Sequence, residues 1–291
     1  MHITLIMIFT YIASCLRIGT APWRYWQINS QYFSAEQGVF SKLSTDLLIP
    51  ERWRLVQSVD SDLLNPAGYP VFLKPEWGQN AHGIHRADDQ TQLLSLRARL
   101  KNEPQRYLLQ EAAPGHREFE IFSIDSNRND NEHDVFTITE AINNSEKYPI
   151  NSKYNRFTRY ADITSQFSVE QQQLIANYLS EIGQFGISRM SVRADSTDDL
   201  IAGNFRVIEI NLFLPMPINL LDESYTWAQK CRFIRSSMMS LAQATKLIKR
   251  TDIKHPIFAR MMLYGRVKKT IASRKATTSR NAKMGSRHIQ S

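Results

Sequence analysis

Several stretches of this chain set oxygen ligands and cations at spacings suited to phosphate chemistry. In "VIEIN", Glu209 and Asn211 stand two residues apart, so on a strand they share one face and can both reach a hard cation, which takes oxygen ligands. A half-exposed strand with its polar residues outward produces the same pattern. "ISRMSVRAD", residues 187 to 195, places Arg189, Ser191, Arg193 and Asp195 on one face by the same alternation. "VFLKPEWGQNAHGI", residues 71 to 84, runs an apolar strand into Lys74 and then into a turn-rich loop with Gly78 and Gly83. Successive backbone N–H groups in such a loop can cradle phosphate oxygens, although the GxxxxGK spacing is absent and a plain hairpin with an exposed lysine fits equally well. In "LLQEAAPGHREFEIF", residues 108 to 122, Glu111 and Glu118 flank a break at Pro114-Gly115. Two carboxylates across such a turn can serve an amino group and a diol, or simply face water.

The elements that must position these residues are legible as periodic runs. Strand patterns cover 69 to 75, 106 to 112, 118 to 125, 134 to 142, 187 to 195 and 205 to 213. Between them lie helical stretches. Residues 88 to 102 carry Asp88 or Asp89 as N-cap and the stripe Leu93, Leu96, Leu100; residues 168 to 183 carry Ser168 as cap, Gln171 at the third helical position and Gly183 as stop; residues 223 to 249 form a long, partly amphipathic helix. Strands in antiparallel pairs, segregated from helices, predict an α+β fold rather than a doubly wound parallel sheet.

At 291 residues and 42% apolar content the chain can bury one large core or two modest ones. Its two cysteines, Cys15 and Cys231, give neither a zinc spacing nor a disulfide framework, and point to a cytoplasmic setting. Charge is unevenly spread: from Lys246 on, 13 Lys or Arg face only Asp252, whereas the preceding residues hold 23 basic and 27 acidic groups. That basic tail reads as a solubilising segment or as a contact for an acidic partner or lipid surface, with no specific nucleic-acid signature. "ITLIMIFTYIASCL", residues 3 to 16, is uncharged and apolar, but its 14 residues fall short of the roughly 20 that span a bilayer. A buried or interfacial helix is expected there, one that rests against the inner face of a membrane in the second case.

Taken in order, the lysine strand with its glycine-flanked loop, the acidic hinge about 35 residues later, the arginine strand and Glu-x-Asn resemble the ATP-grasp superfamily. The likeness is closest to its D-alanine–D-alanine ligase-like branch and spans roughly residues 40 to 222. The resemblance implies an ATP-grasp fold, two α+β subdomains that grip ATP between antiparallel sheets, preceded by a truncated N-terminal domain. The matching division is an apolar helical segment over 1–40, a small subdomain with the phosphate loop over 41–118, a large subdomain with the metal site over 119–246 and the basic tail over 247–291. It further implies that Lys74 binds the α and β phosphates beneath the 77 to 84 loop, with Lys42 as a more N-terminal phosphate lysine. Glu111 would meet the adenine amino group beside the backbone of Ala112 and Ala113, and Glu118 the ribose hydroxyls. Glu209 would bridge two Mg2+ ions, Asn211 would ligate one, and Arg189 would face the transferred phosphoryl group. Lys147, Lys153, Arg156 and Arg159 remain alternatives for the γ-phosphate. The implied activity is an ATP- and Mg2+-dependent ligase joining an unidentified carboxylate substrate to an amine or other nucleophile through an acyl phosphate.

The chain also departs from that pattern. The active ligases have an aspartate where Ser191 stands, and Asp195, on the same face, lies about 13 Å further along a strand. "NLFLPMP" after Asn211 lacks the ligases' proline-glycine turn, and the phosphate loop, with Gln79, Asn80, Ala81 and His82, lacks their serine pair. His82 and His85 are expected to face solvent. These departures leave a second reading open, a non-catalytic nucleotide-binding regulatory module.

Overall fold

The computed structural model describes residues 2–78, 81–125, 133–248 and 257–260. Its strands form two antiparallel sheets. The smaller is ordered β1-β4-β2-β3, from β1 (Gln57–Val59), β2 (Val71–Pro75), β3 (His85–Ala87) and β4 (Tyr107–Glu111). The larger is ordered β7-β6-β5-β8-β9, from β5 (Arg117–Ile124), β6 (Val135–Ile142), β7 (Arg159–Asp162), β8 (Ile187–Ala194) and β9 (Arg206–Asn211). Helices α1 (His2–Arg17), α2 (Lys42–Asp46), α3 (Gln90–Leu100), α4 (Val169–Ile182), α5 (Thr197–Ala202) and α6 (Trp227–Leu247) complete the fold. It is the α+β arrangement expected.

The helices start where capping chemistry places them. Asp89, not Asp88, caps α3, and Ser168 with Gln171 closes a capping box on α4. Helix α6 begins at Trp227 rather than 223, because Thr226 and Gln229 form its capping box. Segment 71 to 84 is a hairpin as well as a loop: β2 and β3 pair antiparallel through Leu73 and His85.

Three cores hold the molecule together. Leu93, Leu96 and Leu100 of α3 pack on Val71, Leu73 and Leu109 of the small sheet. Phe119, Ile121, Met190 and Val192 of the large sheet pack on Ile175 and Leu179 of α4. The opposite face of that sheet is divided along its strands. Glu118 and Glu120 face an open cleft, while Phe122 and Ile124, further along the same face of β5, are covered by Ile234 and Met238 of α6 with Tyr11 and Cys15 of α1. The polar-to-apolar change along one strand therefore marks the edge of the site.

Helix α1 is neither wholly buried nor detached. Ile3, Ile6, Met7, Tyr11 and Cys15 pack toward α6, whereas Leu5, Ile8, Phe9, Ile12 and Leu16 are exposed. Among the described residues no helix is long and apolar enough to cross a membrane. Beyond Ile248 the basic tail lies outside the described residues except for residues 257–260, where Ile257 is buried in the main core and Phe258 packs on Trp26.

Candidate functional site

A cleft of about 300 Å3 lies between the two sheets. The small sheet contributes Phe72, Lys74, Gln110 and Glu111; the large sheet contributes Glu118, Glu120, Arg189, Ser191, Arg193, Glu209 and Asn211. Ala113, in the connection between the sheets, also lines it, and Thr4 of α1 reaches its rim.

Register explains the convergence. Glu120 pairs directly with Ser191 across β5 and β8, and Ser191 pairs directly with Glu209 across β8 and β9. Alternation alone places Ile208 and Ile210 together, opposite Glu209. The structure corrects this: a β-bulge shifts the register between Ser191 and Val192, so that Val207 and Ile210 share the main core while Ile208 borders the cleft. The extra residue frees the Ile208 carbonyl, which accepts from Lys74 Nζ at 3.1 Å and from Gln110 Nε2 at 3.1 Å. Both donors belong to the small sheet, so one oxygen of the large sheet ties the two together.

The charges form a dense, partly desolvated cluster. Lys74 is 3% exposed, and burial pulls its ammonium down to about 8 despite the opposing field of Glu209. Lys42 Nζ lies 3.4 Å from Glu209 Oε2 and donates to the Gly78 carbonyl at 3.1 Å, which fixes the start of the 77 to 84 loop. Burial raises the Glu209 carboxyl, but Lys42, Lys74 and Arg189 outweigh it, and the net shift is downward. Asn211 Nδ2 donates to Glu209 Oε1 at 2.6 Å, which links the two side chains. Glu118 behaves oppositely: burial and the neighbouring Glu120 raise its carboxyl to about 8.

Glu120 carries no special signal in the sequence, and only the pairing of strands reveals it. Its Oε1 accepts from Ser191 Oγ at 2.9 Å, and its Oε2 lies 3.0 Å from Arg189 Nε. Arg189 also donates to the Met216 carbonyl at 3.3 Å. Arg193 donates to the carbonyls of Gly115 at 2.8 Å and Lys147 at 3.1 Å, bracing the connection between the sheets.

The other candidates are placed as follows. Glu111 borders the cleft, but its carboxylate accepts from the Val56 N–H at 2.8 Å. Gly83 has φ +78° and lies beside the Tyr107 hydroxyl, while Gly78 packs against Pro75; both shape the loop, and neither lines the cleft. Of Lys147, Lys153, Arg156 and Arg159, only Lys153 borders it. Asp195 is exposed, pairs with His116 at 2.5 Å and does not line the cleft. Leu214, in the loop after Asn211, adopts φ 49° at the cleft wall, a left-handed conformation uncommon for a residue with a side chain.

The fold and cleft define two antiparallel sheets with cationic, carboxylate and amide side chains gathered between them. No family model and no curated protein matches the chain. Solved structures similar to it include several ligases. One is an L-amino acid ligase from Bacillus licheniformis at 19% identity and TM-score 0.47, covering 75% of this chain and 50% of that one. Another is a D-alanine–D-alanine ligase from Bacillus anthracis complexed with ATP, at 16% identity and TM-score 0.45, covering 71% of this chain and 68% of that one. A third is the VanG D-Ala:D-Ser ligase from Enterococcus faecalis, at 15% identity and TM-score 0.46, covering 75% and 69%. The chain thus spans half the length of the first of these.

Proposed function

We propose that the protein binds ATP in this cleft and acts as a carboxylate–amine, or carboxylate–nucleophile, ligase of the ATP-grasp type. The observation that carries the reading is the convergence of Lys74 and Arg189 with Glu209 and Asn211 in one cleft between two antiparallel sheets, with Lys42 Nζ 3.4 Å from Glu209 Oε2. Lys74 and Lys42 neutralise the triphosphate, Glu118 meets the ribose hydroxyls, and the backbone at Ala112 and Ala113 lies beside the base. A phosphate next to Lys74 replaces the water that burial removed and favours its charged form, opposing the downward pull of burial.

The donor set fits Mg2+: Glu209 and Asn211 present hard oxygen ligands held side by side, and Mg2+ is commonly bound through one or two carboxylates plus substrate phosphates. When bound, Mg2+ neutralises charge on the phosphate oxygens. The residues of the chain then have distinct tasks. Lysines 42 and 74 hold the α and β phosphates, and Arg189 faces the transferred phosphoryl group. In-line attack by a substrate carboxylate oxygen on the γ-phosphorus breaks the bond to the bridging oxygen and releases ADP. The amine then attacks the acyl carbon, and inorganic phosphate leaves.

One observation favours a second reading, a nucleotide-binding module without turnover: Ser191 stands where a carboxylate is expected, and Arg189 is engaged by Glu120. Calorimetric titration with Mg-ATP separates these from any non-nucleotide role. Saturable heat is expected in the parent protein, weakened at least about tenfold in Lys74→Ala and in Glu209→Ala, since each removes a charged contact worth roughly 1.5–3 kcal/mol. No heat in the parent sinks both readings. Binding without ADP release across pools of carboxylates and amines selects the module.

A further inference from the structure

We propose that Glu120 supplies the metal-binding carboxylate that Ser191 lacks, so that a divalent cation arriving with the nucleotide is held by Glu209, Asn211 and Glu120. The inference rests on the nucleotide reading above and deepens it.

Three observations carry it. The first is position. Glu120, Ser191 and Glu209 form one cross-strand row, and the Glu120 carboxylate lies a single hydrogen bond, 2.9 Å, from Ser191 Oγ. Strands are about 4.8 Å apart. A glutamate that starts one strand further away and reaches back over a short serine therefore brings its oxygens close to where a carboxylate at position 191 would put them.

The second is incomplete satisfaction. Glu120 is 9% exposed, yet its Oε2 has no hydrogen-bond partner, and neither has Arg189 Nε beside it, because the 3.0 Å approach is out of line for a hydrogen bond. A buried carboxylate oxygen left in that state is costly, and a cation in the cleft satisfies it.

The third is the character of the donor set. Among the described residues no three His, Cys, Asp or Glu side chains are gathered tightly enough to hold an ion alone. Two carboxylates, an amide oxygen and nucleotide phosphates make up a set of the kind Mg2+ takes. On binding, Glu120 exchanges the guanidinium of Arg189 for the cation and leaves that arginine to the phosphoryl oxygens.

The test uses Mn2+ as a paramagnetic probe together with a non-hydrolysable imido analogue of ATP, read by electron paramagnetic resonance, with thermal melting as a check on folding. Glu120→Gln keeps the shape of the side chain and removes its charge. It is expected to weaken Mn2+ binding to the nucleotide complex about tenfold or more. Adding Ser191→Asp to Glu120→Gln, which places the carboxylate on the neighbouring strand, is expected to restore it. If Glu120→Gln folds and binds Mn2+ as tightly as the parent, Glu120 is only a counter-ion to Arg189 and the proposal falls alone. Loss in Glu120→Gln that the second substitution does not recover also counts against it. A parent that binds neither nucleotide nor Mn2+ overturns the proposed function and this inference together.

Discussion

Asp46 and Lys74 border the same small cavity beneath Glu209, and each is displaced from its ordinary ionisation by burial. For Asp46, burial raises the carboxyl from 3.8 to about 6, against the opposing pull of Lys74 and Arg54. A folded-state value above the unfolded one means that the native protein holds the proton more tightly. The stability this contributes is complete below pH 3.8 and is lost as pH rises through about 6. Asp46→Asn is therefore expected to gain on the parent between pH 4 and pH 7, by on the order of 1–3 kcal/mol. Urea unfolding at the two pH values measures it, and an unchanged difference refutes it. At this scale Lys74, Glu118, Arg189, Glu209 and Asn211 were legible as an ordered set: a lysine that ends an apolar strand, a glutamate after the Pro114-Gly115 break, and polar residues alternating on two later strands. Glu120 and Gln110 share those strands, but what distinguishes them is the residue brought opposite by pairing. No local pattern contains that register.

The connection from β4 to β5 is the element on which the cleft turns. Gly115 has φ +104°, and a Cβ there would approach the Ala194 backbone to 2.8 Å, so both conformation and space demand glycine. Gly115→Ala is expected to cost roughly 1–3 kcal/mol and to lower the melting temperature. Gly68→Ala, where an added Cβ meets nothing within 4 Å, is the matched control. Equal melting temperatures for the two variants would remove the argument. The long strands and the helices α3, α4 and α6 were readable from period and caps. β1, β3 and β7 were not, because "QSV", "HRA" and "RYAD" carry no alternation of their own and owe their extended form to β4, β2 and β6. The bulge at Ile208 was equally hidden: it offsets Val207 from Ile210 where simple alternation paired Ile208 with Ile210.

Across the whole molecule, two sheets with separate cores meet at a cleft lined by both charged and apolar side chains. Ligand phosphate is expected to draw the sheets together. Backbone amides at 81–84 and 112–116 should then exchange hydrogen more slowly, by about tenfold, when Mg-ATP saturates the protein. Unchanged exchange at both segments would rule out closure. The two-sheet division was foreshadowed by the break at Pro114-Gly115, whereas the tie between the sheets was not, since it depends on one backbone oxygen with two suitors. That tie has a kinetic meaning. The Ile208 carbonyl is a latch held by Lys74 and Gln110 together. On the nucleotide reading, a phosphate that recruits the Lys74 ammonium undoes half of the latch and takes its place, so the ligand itself becomes the tie that holds the two sheets together.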